Sequence, residues 1–340
     1  MGRAIRVDDL DDRARAIRWL GFSTLQAQFL VTVLLHAGVF VERQYCAFAH
    51  IRHGHWSVDL IRRLLRLGLA REVQPGARHR GRLFHLHHKR LYRLIGEPDS
   101  RFRRAAPTAR LIERVMVLDA VLDDPGWTWL ASERDKMRHF QARLSDYRTE
   151  PRDYPHLAFR SGSGETLRFF PDKLPIGVDR LGDAHVFIYL ATRLSPVDFR
   201  AFLQRHATLW RLLRRLTLRV LVPPQFDAAI PAYRQAAREE LLSPLSTSDA
   251  WELSWYFGEQ KRRAASGPET PEPRFVEAGK RFRGPRFSAL YRTWERGNSS
   301  ALWNTTTSGL GDAFESGDAT LEFVALTRPY LYLTHLVGTA

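Results

Sequence analysis

HWSVDLIRRLLRLGLARE, residues 55–72, is the segment that decides how the N-terminal third of this chain is interpreted. Its apolar residues recur at helical spacing up to residue 67, and Gly68 then stands where helices commonly end. The charged residues fall together on the opposite side of such a helix: Asp59, Arg62, Arg63 and Arg66. The segment therefore predicts an amphipathic helix over residues 56–67 with one basic side.

The elements around this helix predict a known DNA-binding arrangement. Helical patterns over residues 25–36 and 42–50 come before it. Two short predicted strands follow it, within residues 69–73 and 83–86, and the loop between them is polar and basic, as in a hairpin. Three helices followed by a hairpin are the order of a winged helix-turn-helix, whose third helix enters the major groove of DNA. The sequence therefore predicts an N-terminal winged helix.

The side chains that this arrangement would present to DNA are predicted from their positions. Arginines on the third helix are placed to donate to base edges and phosphates, and backbone amides at its start are placed to face a phosphate. Basic residues of a wing follow the DNA backbone or enter the minor groove. The residues predicted to contact DNA are His55, Ser57, Arg62, Arg63, Arg66, Arg78, Arg80, Arg82, Lys89 and Arg90.

Positive charge is concentrated in the same part of the chain. The 340 residues carry a formal net charge of +15. Residues 52–104 contain fourteen Lys and Arg against four Asp and Glu, so two-thirds of the net charge lies in about one-sixth of the chain. Charge focused in this way is typical of a surface that binds phosphates. Double-stranded DNA is therefore the predicted partner.

The cysteine and histidine content argues against a metal or disulfide framework. Cys46 is the single cysteine, which excludes an internal disulfide and a cysteine-rich zinc module within one chain. Cys46, His50, His53 and His55 are close in sequence, but they reproduce no known zinc spacing, and Cys46 lies on the predicted buried side. Neither a metal nor a cofactor is predicted. Without a signal-peptide pattern or an apolar run of about 18 residues, the expected location is cytoplasmic, away from membranes.

The chain is long enough for several domains, and its pattern predicts an α+β protein. Buried strands over residues 186–190 and 218–222 flank an amphipathic helix over 198–213, which is an α/β pattern. Helices return after Phe226. The predicted domains are a winged helix-turn-helix (1–97), a basic linker (98–107), an α/β domain (108–224) and a mostly helical C-terminal region with terminal strands (225–340).

The α/β domain has the beginning of a nuclease motif without its completion. Pro171-Asp172 follows an apolar strand, as in metal-dependent nucleases of the restriction-enzyme type. Such enzymes then need an acid-x-Lys triplet on a later strand, and residues 186–192 contain neither an acid nor a lysine. Two interpretations stay open: Asp172 is a turn residue at the end of a strand, or the domain has a nuclease-like fold, which would then be degenerate and without catalytic residues. Asp172, Lys173 and Asp179 are the residues at which nuclease activity would be tested.

The C-terminal region mixes aromatic and cationic residues, which allows two interpretations. Aromatic rings beside cations stack on the bases of single-stranded DNA. Aromatic residues also form cores that arginines surround, and both interpretations fit the sequence. The aromatic residues concerned are Trp251, Trp255, Tyr256, Phe282, Phe287, Tyr291 and Trp294.

The order of these segments resembles the replication-relaxation family, winged-helix proteins carried by plasmids and other bacterial mobile elements. The resemblance rests on LQAQ at residues 25–28, RQY at 43–45, LLRLGLAR at 64–71 and FFPD at 169–172, and it covers about two-thirds of the chain. It implies a nuclease-like second half, in which Tyr189 or a neighbour replaces the acid that the family often has on the later strand. It also implies an accessory role in the replication, relaxation or transfer of mobile DNA.

The favoured function is therefore a sequence- or structure-selective DNA-binding accessory protein of a mobile genetic element, acting in replication, relaxation, transfer or recombination. The first alternative is a transcriptional regulator whose middle domain senses a ligand or mediates dimerisation. The second, from another class, is a metal-dependent DNA nuclease. A recombinase, a relaxase or a second copy of the chain are the protein partners that the sequence allows.

Overall fold

The computed structural model describes residues 7–73, 82–161, 164–266, 270–295, 302–303, 305, 310–328 and 330. These residues form an α+β protein whose chain divides into two compact units. The first unit consists of Met1–Arg143, Leu174–Gly182 and Leu326–Ala340, and the second consists of Leu144–Lys173 and Asp183–Ala325. No described helix combines the length and the apolar composition that crossing a bilayer requires.

The elements follow one another in mixed order along the chain. The first 143 residues contribute α1 (Val7–Arg18), α2 (Thr24–His36), β1 (Val39–Val41), α3 (Glu42–Phe48), α4 (His55–Arg66), β2 (Ala70–Glu72), β3 (Leu83–Leu86), α5 (Lys89–Leu94), α6 (Thr108–Leu122), β4 (Thr128–Leu130) and α7 (Glu133–Arg143). The later elements are β5 (His156–Ser161), β6 (Gly164–Phe169), β7 (Ile176–Val178), β8 (Ala184–Leu190), α8 (Val197–Arg211), β9 (Arg215–Val222), α9 (Ile230–Leu241), α10 (Thr247–Ser266), α11 (Pro273–Arg281), α12 (Pro285–Glu295), α13 (Gly311–Ser316) and β10 (Ala319–Ala325).

Local sequence signals explain the first helices. Ser23 caps α2 through a reciprocal pair of bonds: its hydroxyl accepts from the Gln26 amide at 3.2 Å, and the Gln26 side chain accepts from the Ser23 amide at 3.0 Å. In α4 the apolar side predicted from the periodicity is buried at Leu60, Ile61 and Leu64, whereas Leu67 at its end is exposed. Gly68 follows α4 with a φ of 63°, a conformation that glycine adopts without strain.

A small antiparallel sheet completes the N-terminal part of the first unit. Its strand order is β1-β3-β2, so the two hairpin strands β2 and β3 pair with each other and β1 pairs with β3. The Phe29 ring of α2 lies 5.3 Å from the Phe40 ring and 5.1 Å from the Tyr45 ring, measured between centroids. The helices and the sheet therefore share one aromatic core.

The first unit extends beyond the predicted winged-helix domain, which corrects the predicted linker at residues 98–107. Residues 101–103 form a 3-10 turn, and Phe102 within it is buried. Helix α6, predicted to open a separate domain, packs on α2, α3 and β1. The bounds predicted at residues 97 and 108 therefore do not separate units, because these non-local contacts join α6 to the N-terminal helices.

A buried carboxylate on α6 holds this packing together. Asp119 accepts two hydrogen bonds from the Arg43 guanidinium, both 2.7 Å long, and one from the Gln44 amide at 2.9 Å. The Tyr330 hydroxyl donates to it at 2.5 Å, and Arg328 lies 3.1 Å away. Asp119 therefore connects α3, α6 and the segment after residue 326.

The second unit contains a parallel sheet in the order β10-β9-β8. Helix α8 connects β8 to β9, and the rings of Tyr189, Phe199 and Phe202 pack between strand and helix. Strands β5 and β6 form a separate antiparallel hairpin. The predicted boundary at residues 224–225 is not observed, because β10, near the C-terminus, pairs with β9. Of the terminal strands predicted for the C-terminal region, one is observed as β10, and residues 331–340 lie outside the described residues.

Candidate nucleic-acid interface

The solvent side of α4 carries an aromatic and cationic surface. His55 and Trp56 begin the helix and are exposed, with Trp56 at 70% of its full exposure. Arg62 and Arg66 are also exposed, and their spacing of four residues places them on one side of the helix. Neither guanidinium forms an ion pair with another described residue. This side of α4 can therefore donate hydrogen bonds to an anionic partner.

Arg63, predicted to contact DNA, is instead part of the packing of the first unit. Its guanidinium carbon lies 5.2 Å from the centroid of the Phe22 ring, and Nη2 is 3.5 Å from the Leu20 carbonyl oxygen, to which it donates. A Cβ on Gly21 would clash with Nη2. The turn between α1 and α2 therefore covers Arg63, and the prediction for this residue is corrected.

Ser57 is also corrected, because it serves the helix and not a ligand. Its side chain is fully buried, and its hydroxyl donates to the Gly54 carbonyl at 2.9 Å and accepts from the Gly54 amide at 3.2 Å. Gly54 has no side chain with which to cap α4, so Ser57 satisfies the backbone at the start of the helix. The hydroxyl has no contact left to offer a phosphate.

The hairpin arginines separate into two groups. Arg82 forms two hydrogen bonds with the Glu72 carboxylate, each 2.9 Å long, and its guanidinium lies 5.1 Å from the centroid of the Phe84 ring. The hydrogen bonds to Glu72 raise the pKa of Arg82 above its usual value. Arg82 is therefore paired across the hairpin, and its contact with DNA stays a prediction. Arg78 and Arg80 lie outside the described residues.

The predicted contacts on α5 remain exposed, and the structure adds others. Lys89 and Arg90 are exposed at the first turn of α5. Arg52, just before α4, and Arg71, on β2, are exposed cations that the prediction did not include. Trp56 was also missed. The excess of positive charge over residues 52–104 could have indicated that Arg52 and Arg71 belong to the candidate interface. No sequence pattern indicates that Trp56 is exposed.

The cysteine and histidines near α3 do not converge on one point. Cys46 is buried, and burial raises the pKa of its thiol. His53 Nε2 lies 3.2 Å from a carboxylate oxygen of Glu42. Within the described ranges, no three Cys, His, Asp or Glu side chains are grouped as metal ligands would be.

The residues named for a test of nuclease activity lie in different parts of the structure. Asp172 accepts from Arg205 Nη2 at 2.5 Å and from its Nε at 3.3 Å. Asp172 follows β6 of the two-stranded hairpin, whereas residues 186–190 belong to the parallel sheet. Asp179 belongs to the first unit and Asp172 to the second. The strand that precedes Asp172 therefore pairs in a different sheet from residues 186–190.

The aromatic residues of the C-terminal helices are mostly core. Phe257 and Phe282 are buried in a cluster against which Trp255, Tyr256, Phe287, Tyr291 and Trp294 pack. Cations cover several rings: Arg274 lies 4.0 Å from the Trp255 centroid and Lys261 lies 6.0 Å from that of Trp294. Trp251 is the exception, since it is largely exposed and its ring contacts Trp303. These contacts favour the core interpretation over stacking on single-stranded DNA.

The chain was compared with protein families, curated proteins and solved structures. No protein-family model matches the chain, and no curated protein or solved structure matches it significantly.

Proposed function

We propose that α2, β1, α3, α4 and the β2–β3 hairpin form a winged helix that binds double-stranded DNA, with α4 as the helix that enters the major groove. The order of elements supports this proposal: α2, β1, α3 and α4 are followed by the β2–β3 hairpin. The sheet order β1-β3-β2 also supports the proposal, because β1 adds a third strand to the hairpin by pairing with β3. In this arrangement α4 is the third helix of the motif.

The observation that carries the proposal is the exposed side of α4. A helix buried on one side and cationic on the other has the form that major-groove recognition requires. Arg62 and Arg66 supply fork-shaped donors suited to guanine edges and phosphates, and His55 and Trp56 lie at the end of the helix that approaches the bases first. Exposed Arg52, Arg71, Lys89 and Arg90 extend the positive surface.

Binding of duplex DNA by the full chain is expected to weaken steeply as salt rises. Each phosphate contact contributes about −0.9 to the slope of log K against log salt, so four to six contacts give a slope between about −3.6 and −5.4. Titrating a mixed-sequence duplex of about 30 base pairs at several NaCl concentrations measures this slope. Binding that does not respond to salt would contradict the proposal.

The role on a mobile element is proposed from the resemblance to the replication-relaxation family. In this role the protein is an accessory in replication, relaxation, transfer or recombination, and the second unit contacts protein partners. Sequencing the fragments that the protein retains from sheared genomic DNA tests the proposal. Enrichment of one locus within a plasmid or an integrated element is the expected result, and uniform retention of chromosomal fragments would contradict it.

We also propose that DNA binding is not accompanied by cleavage through Asp172. Arg205 bonds to both oxygens of this carboxylate and compensates its charge, which disfavours Mg²⁺ binding there. Supercoiled plasmid incubated with Mg²⁺ or Mn²⁺ is expected to show no nicking that separates the wild type from Asp172→Asn. Open-circular product formed by the wild type and lost in Asp172→Asn would overturn this proposal.

A further inference from the structure

The turn between α1 and α2 is held against one flank of α4 by Arg63. The Arg63 guanidinium donates to the Leu20 carbonyl at 3.5 Å, and its carbon lies 5.2 Å from the centroid of the Phe22 ring. Gly21, between these two residues in sequence, has a φ of 83°, which glycine adopts without strain. Residues 18–22 are therefore a fixed part of the surface beside α4.

The turn is also anchored in the first unit on its other side. Ile17 at the end of α1 and Phe22 after the turn are buried, and α1 packs on α2. The Leu20 amide donates to the Ile17 carbonyl at 3.0 Å. The Gly21 amide donates to the Arg18 carbonyl at 2.7 Å. Because the backbone is already ordered, a ligand that meets this turn has little conformational entropy to overcome.

Two side chains of the turn extend into solvent. Arg18 is exposed, and its guanidinium forms no ion pair within the part of the chain that the structure describes. Trp19 is 86% exposed. A single exposed apolar side chain is common on protein surfaces and indicates nothing alone. The position of this one, next to a free cation and beside the cationic helix α4, is what indicates a role.

The position of the turn determines which part of a duplex it would meet. Arg62 and Arg66 mark the outward side of α4, and Arg63 lies about 100° further round the helix, on the adjoining flank. A helix with its side chains is about 10–12 Å across, and the major groove is about 12 Å wide. With α4 in the groove, a turn packed on its flank therefore lies at the groove wall, which the phosphates of one strand form.

We propose that Arg18 and Trp19 bind the phosphate backbone of one DNA strand beside the groove that α4 enters. This inference rests on the proposed function, because the position of α4 places the duplex. The Arg18 guanidinium is a charged donor that matches phosphate oxygens, and the Trp19 indole N–H is a neutral donor to the same kind of atom. Arg63 is a positioning residue, since it holds the turn in place and does not itself contact the DNA.

The test measures the affinity of the full chain for a mixed-sequence duplex at several NaCl concentrations. Arg18→Gln is expected to bind about 3- to 10-fold more weakly at ~0.15 M salt, with a salt slope less steep by about 0.9. Trp19→Ala is expected to lose affinity by a similar factor with its slope unchanged, because a neutral donor releases no counterion. Affinity and slope together therefore distinguish the two kinds of phosphate contact.

Each variant has a matched control in the second unit, where Arg214 and Trp251 are exposed. Arg214→Gln removes the same charge and Trp251→Ala the same ring, and both are expected to bind the duplex within about twofold of the wild type. All four variants are expected to melt within about 2 °C of the wild type, because the substituted side chains are exposed. If Trp19→Ala melts lower, Trp19→Phe removes the N–H, keeps the ring and replaces it.

The results that would overturn the inference differ from those that would overturn the proposed function. Duplex binding that Arg62→Gln/Arg66→Gln weakens, but that neither Arg18→Gln nor Trp19→Ala changes, would support the proposed function and exclude the turn from the interface. Equal losses in the variants and their controls would assign the effect to overall charge and aromatic surface. If the wild type binds no duplex, the proposed function and this inference are both wrong.

A second copy of the chain is the other occupant that an exposed tryptophan could have. Light scattering of the wild type and Trp19→Ala measures the oligomeric state of each. We expect the same state for both, because the inference assigns Trp19 to DNA. A smaller assembly in Trp19→Ala together with unchanged duplex affinity would overturn this assignment and place Trp19 in an interface between two copies.

Discussion

Replacing both Arg62 and Arg66 by glutamine is expected to weaken binding of duplex DNA about 10- to 50-fold at ~0.15 M salt. The two side chains are exposed on one side of α4, so their replacement removes two contacts to DNA without disturbing the buried side. The salt slope should also become less steep by about 1.8. Fluorescence anisotropy with a labelled duplex at several NaCl concentrations measures both quantities.

A control variant with the same change in net charge separates a local effect from a general one. Arg152→Gln/Arg214→Gln removes two exposed charges from the second unit, where their partners are Glu165 and Asp183. We expect its affinity to stay within about threefold of the wild type. An equal loss in both variants would show that overall charge attracts the DNA, and unchanged affinity in the α4 variant would remove α4 from the interface.

Asp119→Ala is expected to lower the free energy of unfolding by about 3 kcal/mol, because it leaves buried donors without their acceptor. Asp119 is buried and receives bonds from Arg43, Gln44 and the Tyr330 hydroxyl. The arginines are about one-third exposed, so water recovers part of the loss, and the expected value lies at the low end for a buried pair. Urea unfolding followed by circular dichroism measures the change.

Asp123→Ala is the matched control for this prediction. Asp123 ends α6 one turn after Asp119, is half-exposed and contacts Arg328. Its replacement is expected to cost less than about 1 kcal/mol, as exposed ion pairs usually do. Similar losses in the two variants would show that Asp119 is not the centre of the packing between α3, α6 and Tyr330.

Several elements of the first unit were predictable from local patterns. The helix predicted over residues 56–67 is observed as His55–Arg66, and the helix predicted over 25–36 as Thr24–His36. The strand predicted over residues 83–86 has the same bounds in the structure. Periodicity, capping residues and glycine act within a few positions of one another, so a single sequence carries them.

The candidate interface was predictable only in part, because helical spacing does not reveal what covers a side chain. Arg62, Arg63 and Arg66 are equivalent in the sequence pattern, yet the turn between α1 and α2 covers Arg63 alone. Arg82 is equivalent to the other hairpin arginines until the β2–β3 register brings Glu72 to it. In both cases the arginine contacts a residue of another element, which its own local sequence does not reveal.

The amino-acid sequence by itself determined the amphipathic division of α4, the hairpin after it and the concentration of positive charge between residues 52 and 104. Short-range backbone preferences and burial of apolar side chains produce these features, and both operate within one element. Only the tertiary structure decided which cations among the described residues remain exposed and that α6 belongs with the N-terminal helices. Those outcomes depend on contacts between residues far apart in the chain, such as the pair of Arg43 with Asp119, which local patterns do not encode.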